Sequence, residues 1–174
     1  MKNNANRYLT VTFCDDIRHE VGNKMSLIGC YQGELIVQSA PTALPKLCAL
    51  ITATAPKGKP FKSLTIRVVK DDAELARLEI PETGLSEVAQ NNVDAAATRK
   101  SISTAMMFAP FVIEKPTVLQ VLATTEEGEM IGPRLLIKIQ ALEGGVEQAG
   151  TQKEPAARRT ARKKPSARRA SMSH

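Results

Sequence analysis

The sequence predicts an all-β protein, an antiparallel β-sandwich followed by a disordered C-terminal tail. Apolar and polar residues alternate with a period of two along several short segments, whereas a helical period is almost absent. Turn-forming Gly, Pro, Asn and Asp separate those segments. From about residue 144 bulky apolar side chains nearly disappear, and such a composition cannot bury enough surface to become ordered. We therefore expect a sandwich domain over residues 1–142 and a disordered basic tail over 143–174.

The first half of the sandwich contains six predicted strands, at 8–14, 24–31, 34–38, 46–54, 63–69 and 74–80. Leu64, Ile66 and Val68 show the pattern clearly, since they share one face of a strand while their neighbours point to the other. Gln32-Gly33 predicts a hairpin between the second and third strands. Asp71-Asp72 predicts a turn between the last two.

The second half begins with a polar, Ala-rich stretch at 82–100, which is either a long connection or contains a short helix. Four strands follow, at 101–108, 111–114, 117–125 and 129–140. Glu127-Gly128 joins the last two, and the acidic residues around it are interpreted as a solvated hairpin tip. Gly132-Pro133 predicts a bulge or an edge position, because Pro cannot donate to a ladder.

Short strands without alternating helices indicate a sandwich rather than a βαβ fold. An immunoglobulin-like topology is compatible with this pattern, although the chain has no Trp and so lacks the Cys–Trp–Cys signature of true immunoglobulin domains. Cys14, Cys30 and Cys48 form no CxxC pair, so we expect reduced thiols, each a small buried hydrophobe. The N-terminus lacks the apolar core of a secretory signal, and no run is long enough to span a membrane. A cytoplasmic protein is expected.

The positive charge is concentrated in the tail. Residues 151–174 contain eight basic residues and one acidic residue, a net charge of +7. The other 150 residues contain 16 basic and 17 acidic residues, a net charge of −1. The sequence therefore combines a nearly neutral body with a cationic appendage.

Residues 13–31 concentrate polar side chains, and this stretch admits two interpretations. One hypothesis is a metal-dependent hydrolase that uses the cluster of carboxylates and one imidazole, namely Asp15, Asp16, His19 and Glu20. The favoured interpretation is a polar corner between two strands, because an extended backbone sends neighbouring side chains to opposite faces. In that corner Gly22-Asn23 would adopt a positive-φ turn, and Arg18 would pair with an acid.

The same stretch resembles the N-terminal signature of an uncharacterised bacterial and prophage family, CDDIR-x-E-x-GGK-x-S-x-IG-x-Y. Asn23 departs from the signature, since the family more often has Gly there, and "LPKLC" at 44–48 is also similar. The resemblance implies a bacterial or phage-borne β-domain of unknown function and brings no catalytic residue. The signature residues are expected to be structural: Asp15, Asp16, Arg18, Glu20, Gly22 and Lys24.

The tail is the candidate binding segment. Clustered basic side chains neutralise phosphates by releasing counterions, and the absence of aromatic residues removes the stacking platforms that grip single strands. The alternatives are a solvated tail that aids solubility, or one that touches acidic proteins or anionic lipids. The residues expected to contact nucleic acid or another polyanion are Lys153, Arg158, Arg159, Arg162, Lys163, Lys164, Arg168 and Arg169.

Together these features predict a non-enzymatic binding or scaffold module. Its tail would contact polyanions such as nucleic acid, and its sandwich would contact a protein partner that the sequence does not identify. No cofactor is predicted. The alternatives are a phage structural or assembly protein that uses its sheet edges for protein pairing, and the metal-dependent hydrolase.

Overall fold

The computed structural model describes residues 7–90, 94 and 96–140. The chain divides into two units, Met1–Glu143 and Gly144–His174, and all described residues belong to the first. The predicted tail and all of its basic residues lie outside the described residues.

Twelve strands and one helix make up the described part of the chain. They are β1 (Tyr8–Cys14), β2 (Asp16–Glu20), β3 (Lys24–Ile28), β4 (Glu34–Val37), β5 (Thr42–Leu44), β6 (Leu47–Pro56), β7 (Leu64–Lys70), β8 (Ala73–Ile80), α1 (Glu82–Gln90), β9 (Arg99–Phe108), β10 (Phe111–Ile113), β11 (Thr117–Thr125) and β12 (Gly128–Ile139). In this part of the chain, no helix has the length and apolar character needed to cross a membrane.

Two sheets form the sandwich. The first sheet has the order β1-β6-β9, and the second has the order β4-β12-β11-β7-β8. Every pairing within them is antiparallel except that of β4 with β12, which is parallel. This order places β1, β6 and β9 where an immunoglobulin fold has strands A, B and E, and β7, β11 and β12 where it has C, F and G. The predicted sandwich is confirmed, with one parallel pair.

The core lies between the sheets and comes from the alternation seen in the sequence. Ile51 of β6 and Ile66 and Val121 of the second sheet are fully buried, and the surrounding core is likewise built mainly from Val, Ile, Leu and Ala. Burial of apolar area at roughly 25 cal/mol per Å² is the main force holding the two sheets together.

Three local predictions have definite outcomes. Residues 82–90 form the helix α1, so the short-helix alternative holds for that part of the 82–100 stretch. A register shift between Gln120 and Leu122 leaves Gly132-Pro133 without partners on β11, which is the predicted bulge. The turn at 71–72 forms as predicted, since Asp71 has a φ of 53° and β7 pairs with β8.

The predicted hairpin between 24–31 and 34–38 is wrong. β3 pairs with the preceding strand, β2, whereas β4 pairs with β12, which lies about a hundred residues away in the chain. Gly33 does turn the chain, with a φ of 89°, but the turn carries it from the β2–β3 hairpin into the second sheet. Residues 15–33 are therefore the crossover by which the chain leaves the first sheet at β1 and enters the second at β4.

Candidate functional site

The signature residues lie on this crossover, and the structure corrects the corner interpretation. Asp16–Glu20 is itself a strand, paired with Lys24–Ile28 in a two-stranded ribbon separate from both main sheets. The turn of the ribbon lies where it was predicted, since Gly22 has a φ of 81° and Asn23 a φ of 56°. We call residues 16–28 the signature hairpin.

Asp15 holds the base of this hairpin. Its main-chain N–H donates to the carbonyl of Ile28 at 2.9 Å, and its carboxylate accepts a hydrogen bond from the hydroxyl of Tyr31. Burial and then this carboxylate raise the pKa of Tyr31 above its ordinary value, so the phenol stays protonated as a donor. Gly29 leaves the space that the carboxylate occupies, because a Cβ there would lie 1.9 Å from the Asp15 Oδ2.

Asp16 ties the first strand of the hairpin to the body. Its carboxylate lies 2.6 Å from the Lys46 Nζ and 3.2 Å from the Arg18 Nε. The hydrogen bonds from Lys46 and Arg18 lower the pKa of Asp16, and the bond to Asp16 raises the pKa of Lys46. Arg18 is exposed and the other two groups are partly exposed, so their pairing orients the hairpin more than it stabilises the fold.

Glu20 and His19 lie on opposite faces further along the strand. The Glu20 carboxylate accepts a hydrogen bond from the Ser26 hydroxyl at 2.9 Å, on the face that Arg18 and Asp16 share. His19 is exposed and faces Met25 across the ribbon. The cluster proposed for a hydrolase is therefore distributed over separate partners. Within residues 7–140, wherever the structure describes them, no group of three or more His, Cys, Asp or Glu is arranged to hold a metal ion.

Cys14 and Cys48 lie beneath the start of the hairpin. They are directly opposite one another on β1 and β6, both fully buried, and all three cysteines are free thiols. Burial raises the pKa of Cys14 to about 11 and also raises that of Cys48, so both are poor nucleophiles at neutral pH. The prediction that each cysteine is buried is wrong for Cys30, which is exposed in the loop after β3.

A second polar cluster was missed by the sequence analysis. Arg7 is buried, and its Nη2 donates to the carbonyls of Lys59 and Pro60 and, at 2.8 Å, to the Glu126 carboxylate. The guanidinium also lies 4.9 Å from the centre of the Phe61 ring. The other carboxylate oxygen of Glu126 accepts the main-chain N–H groups of residues 62 and 63. The acidic turn is therefore not simply a solvated tip, because Glu126 fixes the 59–63 loop.

The electrostatics of Glu126 agree with this role. Burial alone would raise its pKa, but hydrogen bonds from Arg7 and from main-chain N–H groups outweigh that effect and lower the pKa to about 2. Arg7 stands 119 positions from Glu126 in the sequence, and its place directly before a strand does not reveal this partner. The Arg7 Nε and Nη1 make no hydrogen bond, although the Nη1 lies 3.7 Å from the Glu127 carboxylate, so Glu126 is the carboxylate that hydrogen-bonds the guanidinium.

The outer faces of the two sheets differ in chemistry. The second sheet carries ion pairs, including Arg67 with Glu129 and Lys138 with Glu34. The first sheet instead joins β6 to β9 through hydroxyl groups. Its side-chain bonds are Thr52 with Ser103 and Thr54 with Ser101, both at 2.9 Å. One face is therefore charged and internally paired, whereas the other is largely neutral.

Comparisons with known proteins do not indicate a function for this chain. No family model and no curated protein matches the chain. Among solved structures, the chain is similar to the CARDB domain of a Pyrococcus furiosus protein, determined in complex with di-metal ions. The identity is 8%, the TM-score is 0.39, and the match covers 78% of this chain and 94% of that chain. The fold assignment therefore depends on the strand order described above.

Proposed function

We propose that this protein is a non-enzymatic binding or scaffold module. Its cationic tail contacts polyanions, nucleic acid first, while its sandwich supplies a specific protein contact. The observation that carries the proposal is the division of charge, a net of +7 in residues 151–174 against −1 in the other 150. A polycation binds phosphate backbones with little sequence preference and with strong dependence on salt.

The sandwich supports this division because its signature carboxylates are engaged with their own neighbours. Asp16 pairs with Lys46 and Arg18, and Glu20 accepts from Ser26. Buried Arg7 is held by Glu126. Groups committed to structural contacts in this way give no convergent set of acid, base or nucleophile, so a binding role fits the geometry better than a catalytic one.

Copurification tests the proposal. We expect the full-length protein to carry nucleic acid through purification, seen as a raised ratio of absorbance at 260 nm to 280 nm before nuclease treatment. A chain truncated after Leu142 should not. A full-length variant with all eight tail Lys and Arg changed to Gln controls for chain length, and it should behave like the truncated chain. Equal ratios for the three proteins would remove the proposal.

A second candidate is a structural or assembly protein of a phage particle, which joins its partners through sheet edges. One observation favours it: the edge strand β9 is long, and its residues 101–108, SISTAMMF, carry no charge. Concentration-dependent oligomers that persist when the tail is neutralised would support this candidate. Oligomers that vanish with the tail charges would count against it.

A further inference from the structure

β9 is an open edge of the first sheet. It spans ten residues and pairs with β6 along its whole length, from Arg99 opposite Pro56 to Phe108 opposite Leu47. Within the described residues no strand pairs with its other side. A strand in this position presents alternate main-chain N–H and C=O groups to any extended segment that can reach them.

Helix α1 packs against the start of β9, where the Lys100 Nζ donates to the Val88 carbonyl at 3.0 Å, but residues 103–108 have none of the features that protect the other edges. β8 carries Glu74, Arg77 and Glu79 in eight residues, and its pairing with β7 is interrupted by a bulge. β4 is only four residues long. Charges, bulges and short length are the usual means by which proteins prevent edge-to-edge association. At β1 the bulge of β12 lies close by, since a Cβ on Gly132 would approach the Leu9 side chain to 2.9 Å.

The side chains of β9 suit a neutral partner. Residues 101–108 contain no charge, and the two basic residues of the strand stand at its start. On the inner face Ile102, Met106 and Phe108 pack against the core but remain only partly buried. On the outer face Ala105 is exposed and Met107 is 58% exposed. An added strand would cover apolar surface on both faces.

We propose that two copies of this chain associate edge to edge through β9, antiparallel and related by a two-fold axis near Thr104. In this arrangement Lys100 of each copy lies opposite Phe108 of the other and Arg99 lies beyond its end, so no like charges are opposed, and residues 101–107 of both copies pair as neutral side chains. The two first sheets become one continuous sheet. The partner is a second copy because the edge is complementary to itself in charge and length.

The expected strength follows from the size of the contact. Pairing of one strand buries less surface than the ~1,200–2,000 Å² of a stable interface, so we expect a reversible, concentration-dependent dimer. The tail takes no part in this contact. Absence of a dimer therefore leaves the polyanion proposal unaffected, and absence of polyanion binding leaves the dimer proposal unaffected.

Charge at position 105 tests the pairing in the full-length protein. Ala105→Lys places a cation on the outer face beside the two-fold axis, where both copies carry it, and should weaken dimerisation at least tenfold by sedimentation velocity. Ala105→Glu should do the same. An equimolar mixture of the two variants should restore a dimer, because opposite charges then meet. Thr124→Lys is the matched control, since Thr124 is exposed on the second sheet and should leave dimerisation unchanged.

Each outcome decides the proposal. Wild-type protein that stays monomeric at all accessible concentrations overturns it, as does a dimer that tolerates both substitutions at position 105. A monomer in which the β9 amides that point away from β6 are protected from hydrogen exchange overturns it as well, because another segment of the same chain then covers the edge. A dimer lost on replacing the tail Lys and Arg by Gln shows association through the tail and also overturns it.

Discussion

The sandwich and the tail of this protein use charge in opposite ways. In the sandwich, basic and acidic residues are nearly equal in number, and the polar clusters described above pair them with close neighbours. In the tail, eight basic residues face a single acid in the sequence. Paired charges stabilise or orient the fold, and unopposed charges are available for phosphate groups. Removing a charge should therefore lower stability in the sandwich and lower polyanion binding in the tail.

Substitution of Arg7 should cause the largest loss of unfolding free energy in the sandwich. Changing it to Met leaves the Glu126 carboxylate without its buried cation, and breaking such a pair typically costs about 3–5 kcal/mol of unfolding free energy. Urea denaturation measures the loss. Arg77→Met, which removes a solvent-exposed ion pair with Glu74, is the control and should have little effect. Similar losses for the two variants would contradict the structural role of Arg7.

Substitution of Gly29 should give the second largest loss of stability. A side chain there must adopt a φ of 66° and displace the Asp15 carboxylate, so we expect Gly29→Ala to cost about 2–3 kcal/mol. Gly33→Ala separates the two causes, because Gly33 has a φ of 89° with open space around it and should lose only about 1 kcal/mol. Thermal unfolding of the two variants checks the difference. An equal loss would show that Asp15 does not pack on Gly29.

Glu126 makes the sandwich sensitive to acid. Its pKa is about 2 in the folded protein, below the ordinary value of 4.5, so its stabilising effect is present above about pH 5 and is lost as the pH falls towards 2. Because the side chain is partly open to solvent, we expect this contribution to be about 1–2 kcal/mol. Glu126→Gln should remove that part of the acid dependence. An unchanged dependence between pH 5 and pH 2 would refute the assignment.

Substitution of Asp16 should give the smallest change in unfolding free energy. Arg18 is exposed and Lys46 is partly exposed, so Asp16→Asn should change the unfolding free energy only slightly and should leave polyanion binding unchanged. Elemental analysis of wild-type protein and the Asp16→Asn variant checks the alternative hydrolase hypothesis. Stoichiometric metal in the wild type that disappears in the variant would revive it.

The sequence predicted those parts of the fold that depend on local alternation. β7 is the clearest case, since Leu64, Ile66 and Val68 are buried as the pattern requires. Strand pairing was harder to predict. β3 can pair with β2 or with β4 through an acceptable turn, and the alternation along β3 does not distinguish the two partners. β4 shows the same limit, as its partner β12 lies far along the chain.

The candidate sites show a similar division. The positive-φ turn at Gly22-Asn23 follows from local residue chemistry and was predicted. The ion pair of Arg7 with Glu126 joins positions 119 residues apart and exists only because the fold brings β1 next to the β11–β12 turn. Cys30 was misjudged because a run of apolar residues does not reveal that its end has left the sheet.

The most direct test of the division between sandwich and tail is a salt titration of nucleic-acid binding. For the full-length protein, seven net charges predict a log–log slope reaching about −6, from about −0.9 per phosphate neutralised. Replacing the eight tail Lys and Arg by Gln should abolish most of this slope while leaving the unfolding free energy unchanged, and Asp16→Asn should retain it. A neutral-tail protein that binds with an unchanged slope would contradict the account, because the sandwich itself would then contact the polyanion.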